Sequence, residues 1–169
     1  MPSPCRNGIS PQRSSRMKRI EVKLSLSVVA PLLDVIKSTV DDLGSSLAAF
    51  SHLHDVDEEL RATWTDGLLA SQTGDCRTLL ALFDREFFAN GVIAFDESNA
   101  EAIVRACAAV RLRLRERYLK TLEDDVLESG NVEIGSLPEP QRKAFMCYLF
   151  LATIQELIIQ HLDSSIIES

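Results

Sequence analysis

The chain has 169 residues, of which 46% are apolar and 25% are charged. This length and composition are typical of one globular domain with a core of ordinary size, and they exclude a largely disordered chain. The net charge is -7, yet residues 1–23 alone carry +5 and the remainder carries -12. Because an acidic body repels phosphate, nucleic acid is a disfavoured partner for the domain as a whole.

The first 16 residues are rich in Pro, Ser, Arg and Gly and contain almost no large apolar side chain. We therefore expect a disordered basic tail over 1–16, with Met17 as a candidate natural start. A single helical domain is expected over 17–163, followed by a short C-terminal tail over 164–169. The four cysteines form no CxxC pair and no signal-peptide pattern is present, which predicts reduced thiols and a cytoplasmic location.

The first predicted elements are a strand and a helix. Apolar and polar residues alternate from Ile20 to Leu26, and a period of two predicts a short strand. Ser27 is the predicted N-cap of a helix that ends at Gly44. Residues 45–54 fit neither pattern.

Two further helices are predicted from candidate N-cap residues in the middle of the chain. Asp55 or Asp57 is placed to begin one that continues through Leu69, and Asp75 to begin another that ends at Gly91. We expect these two helices to form a helical hairpin.

The second half of the chain begins with a short apolar run, Val92 to Phe95, which predicts a strand paired with residues 20–24. Residues 132–134 are a weaker third strand candidate. The fold predicted from the whole pattern is mainly α, a bundle of four to five helices with a small two- or three-stranded β element.

Two long helices complete the pattern. Ser98 and Glu101 form a predicted capping box for a helix that reaches about Leu127. Pro138 is predicted to begin the last helix, which is apolar almost all round and is expected to be central. Polar residues inside its apolar run, among them Gln155, Glu156 and Gln160, disfavour a membrane span.

The most informative charges lie at predicted core positions of these two helices. Arg111 falls in the apolar stripe of the longer helix, and Glu156 falls in the last one. Because a charge at a core position is almost never left unpaired, we expect a structural ion pair between Arg111 and Glu156. The open alternative is a pocket in which the two residues bind an anion or transfer a proton.

The other basic residues of this helix have mixed predicted positions. Arg115 falls inside the apolar stripe, where its long stem lets the guanidinium reach water. The helical projection leaves Arg105, Lys120 and Glu123 pointing outward and Arg117 at the margin. Binding of DNA by this helix would also require an outward Arg113.

These positions also carry a family resemblance. Residues 110–118, Val-Arg-Leu-Arg-Leu-Arg-Glu-Arg-Tyr, resemble the Leu-Arg-Leu-x-Leu-Gly-x-Arg-Leu stretch of DUF2017, an uncharacterised bacterial domain of unknown function. Residues 154–156 are similar to the Leu-Gln-Glu stretch that closes the family, and the order of helices over 98–163 agrees. The resemblance implies no reaction, because the family has no established activity. The positions that carry over are Arg111, Arg117, Gln155 and Glu156.

The sequence contains no Gly-rich phosphate loop, nucleophile elbow, Cys-His pairing or zinc signature, so it identifies no catalytic residue and no cofactor. The best metal-like cluster fits no standard ligand spacing, and we interpret it as a solvated loop that caps the next helix. Its members are His52, His54, Asp55 and Asp57.

These observations predict a cytosolic helical interaction or regulatory protein that acts by surface recognition of a protein partner or by self-association as a dimer. Two alternatives stay open. One is a DNA-binding transcriptional regulator that uses the basic N-terminal arm with Arg105, Arg113 and Lys120. The other is an enzyme with a pocket around Arg111 and Glu156.

Overall fold

The computed structural model describes residues 18–48, 58–129 and 133–162. Helix covers 74% of them, accompanied by a two-stranded antiparallel sheet, so the predicted mainly α class with a small β element is confirmed. In chain order the elements are β1 (Arg19–Lys23), α1 (Leu26–Leu43), α2 (Glu58–Leu80), α3 (Arg85–Asn90), β2 (Val92–Asp96), α4 (Ala100–Tyr118), α5 (Asp124–Ser129), a 3-10 turn (Ile134–Ser136) and α6 (Glu139–His161).

The two predicted strands pair as expected, with Ile20 opposite Phe95 in an antiparallel register. Gly91 makes the turn from α3 into β2 at a φ of 72°, and an added Cβ there would lie 2.5 Å from the carbonyl oxygen of Leu24. Only glycine adopts this conformation without strain. The predicted third strand is wrong for its described part, because Ile134 begins a 3-10 turn instead.

Helix α1 ends at Gly44 as predicted, but its N-cap is Ser25 and not Ser27. The carbonyl of Ser25 accepts hydrogen bonds from the backbone N–H groups of Val28 and Val29, so the helix begins one residue after it. The buried side chains of α1 recur at the three- and four-residue spacing of one helix face: Val29, Leu32, Ile36, Thr39 and Leu43.

The predicted helical hairpin is wrong. Helix α2 runs without interruption from Glu58 to Leu80, and Asp75 lies inside it. The carboxylate of Asp75 accepts two hydrogen bonds from Arg105 of α4. The side chain that was predicted to cap a helix therefore makes a tertiary contact instead. The actual break follows Leu80, and Asp84 caps α3 by accepting from the N–H of Phe87 at 3.1 Å.

The predicted helix from Ser98 to Leu127 is two helices. Asp96 accepts hydrogen bonds from Ser98 and Asn99, and Asn99 becomes the N-cap residue of α4. At the other end the chain leaves α4 after Tyr118, where the fully buried Leu119 turns into the core. The separate helix α5 then begins at Asp124.

Helix α6 begins directly after Pro138, as predicted, and packs most extensively against α4. Within the described ranges it is also the one helix long and apolar enough to cross a membrane by length and composition. One face of it contributes seven buried side chains to the core, which accounts for much of that apolar character: Ala144, Phe145, Cys147, Tyr148, Leu151, Ile154 and Ile158.

Candidate functional site

Arg111 lies half-buried between α4 and α6, and its described partners are neutral. Its Nη1 donates to Oε1 of Gln155 at 2.6 Å, and its guanidinium carbon lies 4.3 Å from the centre of the Tyr148 ring. A planar guanidinium stacks favourably on an aromatic face, so the ring supplies part of the stabilisation that water would otherwise give. The Nε of Arg111 is buried and has no hydrogen-bond partner.

Gln155 connects α6 to two points on α4. Besides accepting from Arg111, its Nε2 donates to the carbonyl oxygen of Val104 at 3.0 Å. The two bonds span seven residues of α4, or about 10 Å of helix, and therefore fix the register of the two helices.

Glu156 is exposed, and no ion pair joins it to Arg111 among the residues that the structure describes. The expected contact between α4 and α6 is therefore made by the preceding residue, Gln155. The reason is helical geometry, since adjacent residues differ by about 100° in direction and only one of the two can face α4.

The DNA-binding alternative requires an outward Arg113, but this is the most buried charged residue described, at 6% exposure. Its Nη1 pairs with Asp42 of α1 at 2.5 Å, while Nη2 donates to Oγ of Ser46 and to the carbonyl oxygen of Leu47. The guanidinium thus satisfies polar groups that follow the C-terminal end of α1, where carbonyls lack helical partners.

Two more side chains complete this cluster at the end of α1. Arg117 donates to the second carboxylate oxygen of Asp42 at 2.5 Å. From α2, Gln72 donates to the carbonyl oxygens of Leu43 and Ser46 and accepts from the N–H of Ala48. We call Asp42, Gln72, Arg113 and Arg117 the α1 clamp, because together they tie the end of α1 to α2 and α4.

The remaining arginines of α4 also have internal partners. Arg105 pairs with Asp75 of α2 and with Glu101 of its own helix, and the hydrogen bonds that it donates to Asp75 are the main cause of its raised pKa. Arg115 pairs with Asp124 at the start of α5. The arginine run of α4 is therefore used mainly to join elements of the fold.

Three free thiols are buried in the core. Burial raises the pKa of Cys76 to about 11 and the pKa values of Cys107 and Cys147 to about 12. Because a thiolate is the reactive form, these thiols are poor nucleophiles at neutral pH. They serve as small apolar residues of the core.

Helix α2 differs from the other long helices in how little of it is buried. Its buried residues are Cys76 and Leu79, so the 18 residues from Glu58 to Asp75 contribute none. Most helices in proteins owe their stability to a packed face. In this segment Gln72 and Asp75 provide contacts to α1 and α4, and the turns before them bury little.

One arc of the surface of this segment, between Leu60 and Gly74, carries no charge, and the exposed charged residues Glu59, Arg61 and Asp66 lie outside it. At about 100° per residue, eight exposed residues between positions 60 and 74 cover an arc of about 160°. We call them the outer face of α2: Leu60, Thr63, Trp64, Gly67, Leu68, Ala70, Ser71 and Gly74. Leu60, Trp64 and Leu68 are 52%, 56% and 44% exposed. A solvent-facing helix surface normally carries charged side chains, so this face is unusual for an isolated monomer.

A groove of about 390 Å³ continues the outer face of α2 toward α4. Leu68 forms one wall, and Leu112, which is 46% exposed, lies on the other. Between them the floor consists largely of small side chains of α4, Ala106, Ala108 and Ala109. Leu68 and Ser71 belong to both the outer face and the groove, and the polar side chains that also line the groove are Gln72, Asp75 and Arg105.

A second cavity, of about 500 Å³, lies beside the β-ribbon and mixes both charge signs, with Arg19 and Arg77 near Asp84, Glu86 and Asp96. The pKa of Asp96 is lowered, chiefly by the side-chain hydrogen bond from Ser98, so this carboxylate is engaged locally. Neither this cavity nor the groove is lined by Arg111 or Glu156.

The predicted metal-like cluster, at positions 52, 54, 55 and 57, lies outside the described residues. Within residues 18–48, 58–129 and 133–162, no three His, Cys, Asp or Glu side chains are grouped to hold a metal ion.

Sequence reasoning missed the α1 clamp and the outer face of α2. The clamp left no local signal, because Asp42 and Arg113 are 71 residues apart and meet only in the folded chain. The outer face had a readable signal, since no charged residue falls on that side of the helix between Leu60 and Gly74.

The class of protein that the fold and these contacts define is a small helical domain in which the arginines of α4 join elements of the fold. The chain matches the family described as Domain of unknown function (DUF2017) over residues 14–162, and it belongs to that family. No curated protein and no solved structure gives a match.

Proposed function

We propose that this protein is an interaction module that binds a protein surface through the outer face of α2, without chemistry of its own. The observation that carries the proposal is that the first two thirds of α2 contain no fully buried side chain. A 23-residue helix buries side chains at only its last two turns and presents an uncharged face with an exposed tryptophan to solvent. A tryptophan in such a position is among the residue types that contribute most to binding at protein interfaces, and the neighbouring leucines add apolar area.

The internal contacts of the arginines favour this function over DNA binding. A continuous basic patch on α4 requires free guanidinium groups, but Arg105 is neutralised by Asp75 and Glu101, and Arg113 is buried against Asp42. The contacts of Arg111 likewise give little support to an enzymatic pocket, because Gln155 accepts a hydrogen bond from its Nη1 and the Tyr148 ring lies against its guanidinium.

Site-specific photo-crosslinking in cells that carry the native gene tests the proposal. A photoreactive residue replaces Trp64, and a matched variant carries it at Phe88, an aromatic residue that is 57% exposed and lies on α3. We expect discrete protein adducts from position 64 and none from position 88. Absence of adducts at 64, or the same adducts from both positions, contradicts the proposed function.

A further inference from the structure

The outer face of α2 places large and small side chains next to each other. Leu60 and Trp64 occupy its first half, and Gly67, Ser71 and Gly74 occupy its second half. An added Cβ at Gly67 or Gly74 meets no atom within 4 Å, so both positions are open to solvent. Small residues on a helix let another helix approach closely, and large ones fill the spaces so created.

This order of residues is complementary to itself when two copies of α2 lie antiparallel. With the crossing point between Gly67 and Leu68, Trp64 of one copy lies at the level of Ser71 of the other, and Leu60 lies within one residue, or about 1.5 Å, of the level of Gly74. Each contact occurs twice, as a twofold axis requires. The large residues of each copy therefore meet the small residues of the other.

The charges that flank the face agree with the same register. Glu58 and Glu59 lie in the first turn of α2, and the exposed Arg77 lies in its last turn. Glu59 and Arg77 are 18 residues apart, which is five full turns, so they lie on the same edge of the helix. In an antiparallel pair the same edges meet, which brings Glu59 of one copy within one residue, or about 1.5 Å, of the level of Arg77 of the other.

We propose that the occupant of this surface is a second copy of the chain, bound through an antiparallel α2–α2 contact that crosses between Gly67 and Leu68. The inference rests on the proposed function, because it names the partner of the same surface. The contact covers the uncharged face on both copies and gives the exposed part of α2 the packed surface that it lacks in the monomer.

Sedimentation equilibrium of the full chain, over a roughly hundredfold range of concentration, tests the contact by mass action. We expect the average mass to rise from the 18.8 kDa monomer toward twice that value. Gly67→Glu, which places a charge at the crossing point without breaking the helix, is expected to weaken association at least about tenfold. The matched variant Ala62→Glu adds the same charge on a different side of α2 and is expected to leave association unchanged.

Charge reversal tests the register. Glu59→Lys and Arg77→Glu, made singly, each place like charges opposite one another and are expected to weaken the dimer. The two changes in one chain restore opposite charges and are expected to restore association. Circular dichroism of every variant checks that the helices remain folded.

A wild-type chain that stays monomeric at all concentrations overturns the inference, as does a dimer that tolerates Gly67→Glu or a double variant that is not rescued. These failures are separable from failure of the proposed function. A monomeric chain that still yields adducts to another protein from position 64 contradicts only the second-copy contact, whereas the absence of any adduct contradicts the proposed function.

Discussion

Arg111 and Arg113 lie two positions apart on α4, and different kinds of partner satisfy their guanidinium groups. Arg113 has a carboxylate, a hydroxyl and a backbone carbonyl as partners, all from α1 or the residues after it. Arg111 has an amide and an aromatic ring from α6. The difference follows from helical direction, since residues two apart point about 200° away from each other.

Gln155 and its neighbour Glu156 form a matched pair for testing the contact between α4 and α6. Gln155→Ala removes the acceptor for Arg111 and the donor to Val104, and it is expected to lower the free energy of unfolding by about 2 kcal/mol. Glu156→Ala changes an exposed side chain and is expected to change it by less than about 0.5 kcal/mol. Urea denaturation of both variants measures the difference, and equal effects contradict the bridging role of Gln155.

At the scale of elements, the two ends of α2 have different roles. Its last turns belong to the core through Cys76 and Leu79, and Gln72 holds the end of α1. Its earlier turns contribute apolar surface to solvent. The same helix therefore connects the core to the proposed interaction surface.

We expect the Arg113–Asp42 pair of the α1 clamp to contribute more to the stability of the fold than the exposed Arg105–Asp75 pair. Arg113→Ala leaves buried backbone oxygens at the end of α1 without this donor, and it is expected to cost about 3 kcal/mol of unfolding free energy. Arg105→Ala also removes contacts between helices, but the Arg105 side chain is 49% exposed and its loss is expected to cost about 1 kcal/mol or less. Thermal and urea unfolding of the two variants compare the costs. A loss for Arg113→Ala no larger than that for Arg105→Ala contradicts the clamp.

At the scale of the whole molecule, the core keeps three thiols protonated. Cysteine in an unfolded chain titrates near a pKa of about 8.5, while Cys76, Cys107 and Cys147 titrate at about 11 to 12 in the fold because burial disfavours the thiolate. Between these values the unfolded chain releases protons that the folded chain holds. The stability of the fold is therefore complete below about pH 8.5 and falls as the pH rises toward the folded pKa values.

Urea denaturation at pH 7.5 and pH 10 measures this loss. Each buried thiol is expected to contribute at most about 1.4 kcal/mol per pH unit in that range. Cys147→Ala removes one contribution and is expected to show a smaller loss between the two pH values than the wild type. An identical loss in both proteins contradicts the linkage to that thiol.

The sequence by itself determined the features that depend on neighbouring residues. Alternation marked β1, the Asn90-Gly91 pair marked the end of α3, and Pro138 marked the start of α6, because each acts through local backbone conformation. The sequence also indicated that Arg111 needs a partner on the last helix. Each of these features is present in the structure.

Only the tertiary structure decided which polar groups meet. Asp75 reads as an N-cap and is instead a partner of Arg105, Arg113 counts as an outward residue in the DNA-binding alternative and is buried against Asp42, and Gln155 takes the place expected for Glu156. Local patterns describe what a side chain is able to do within its own turn. The choice among those uses depends on the groups that distant helices bring within hydrogen-bonding distance, and on the free-energy cost of leaving a buried charge unpaired.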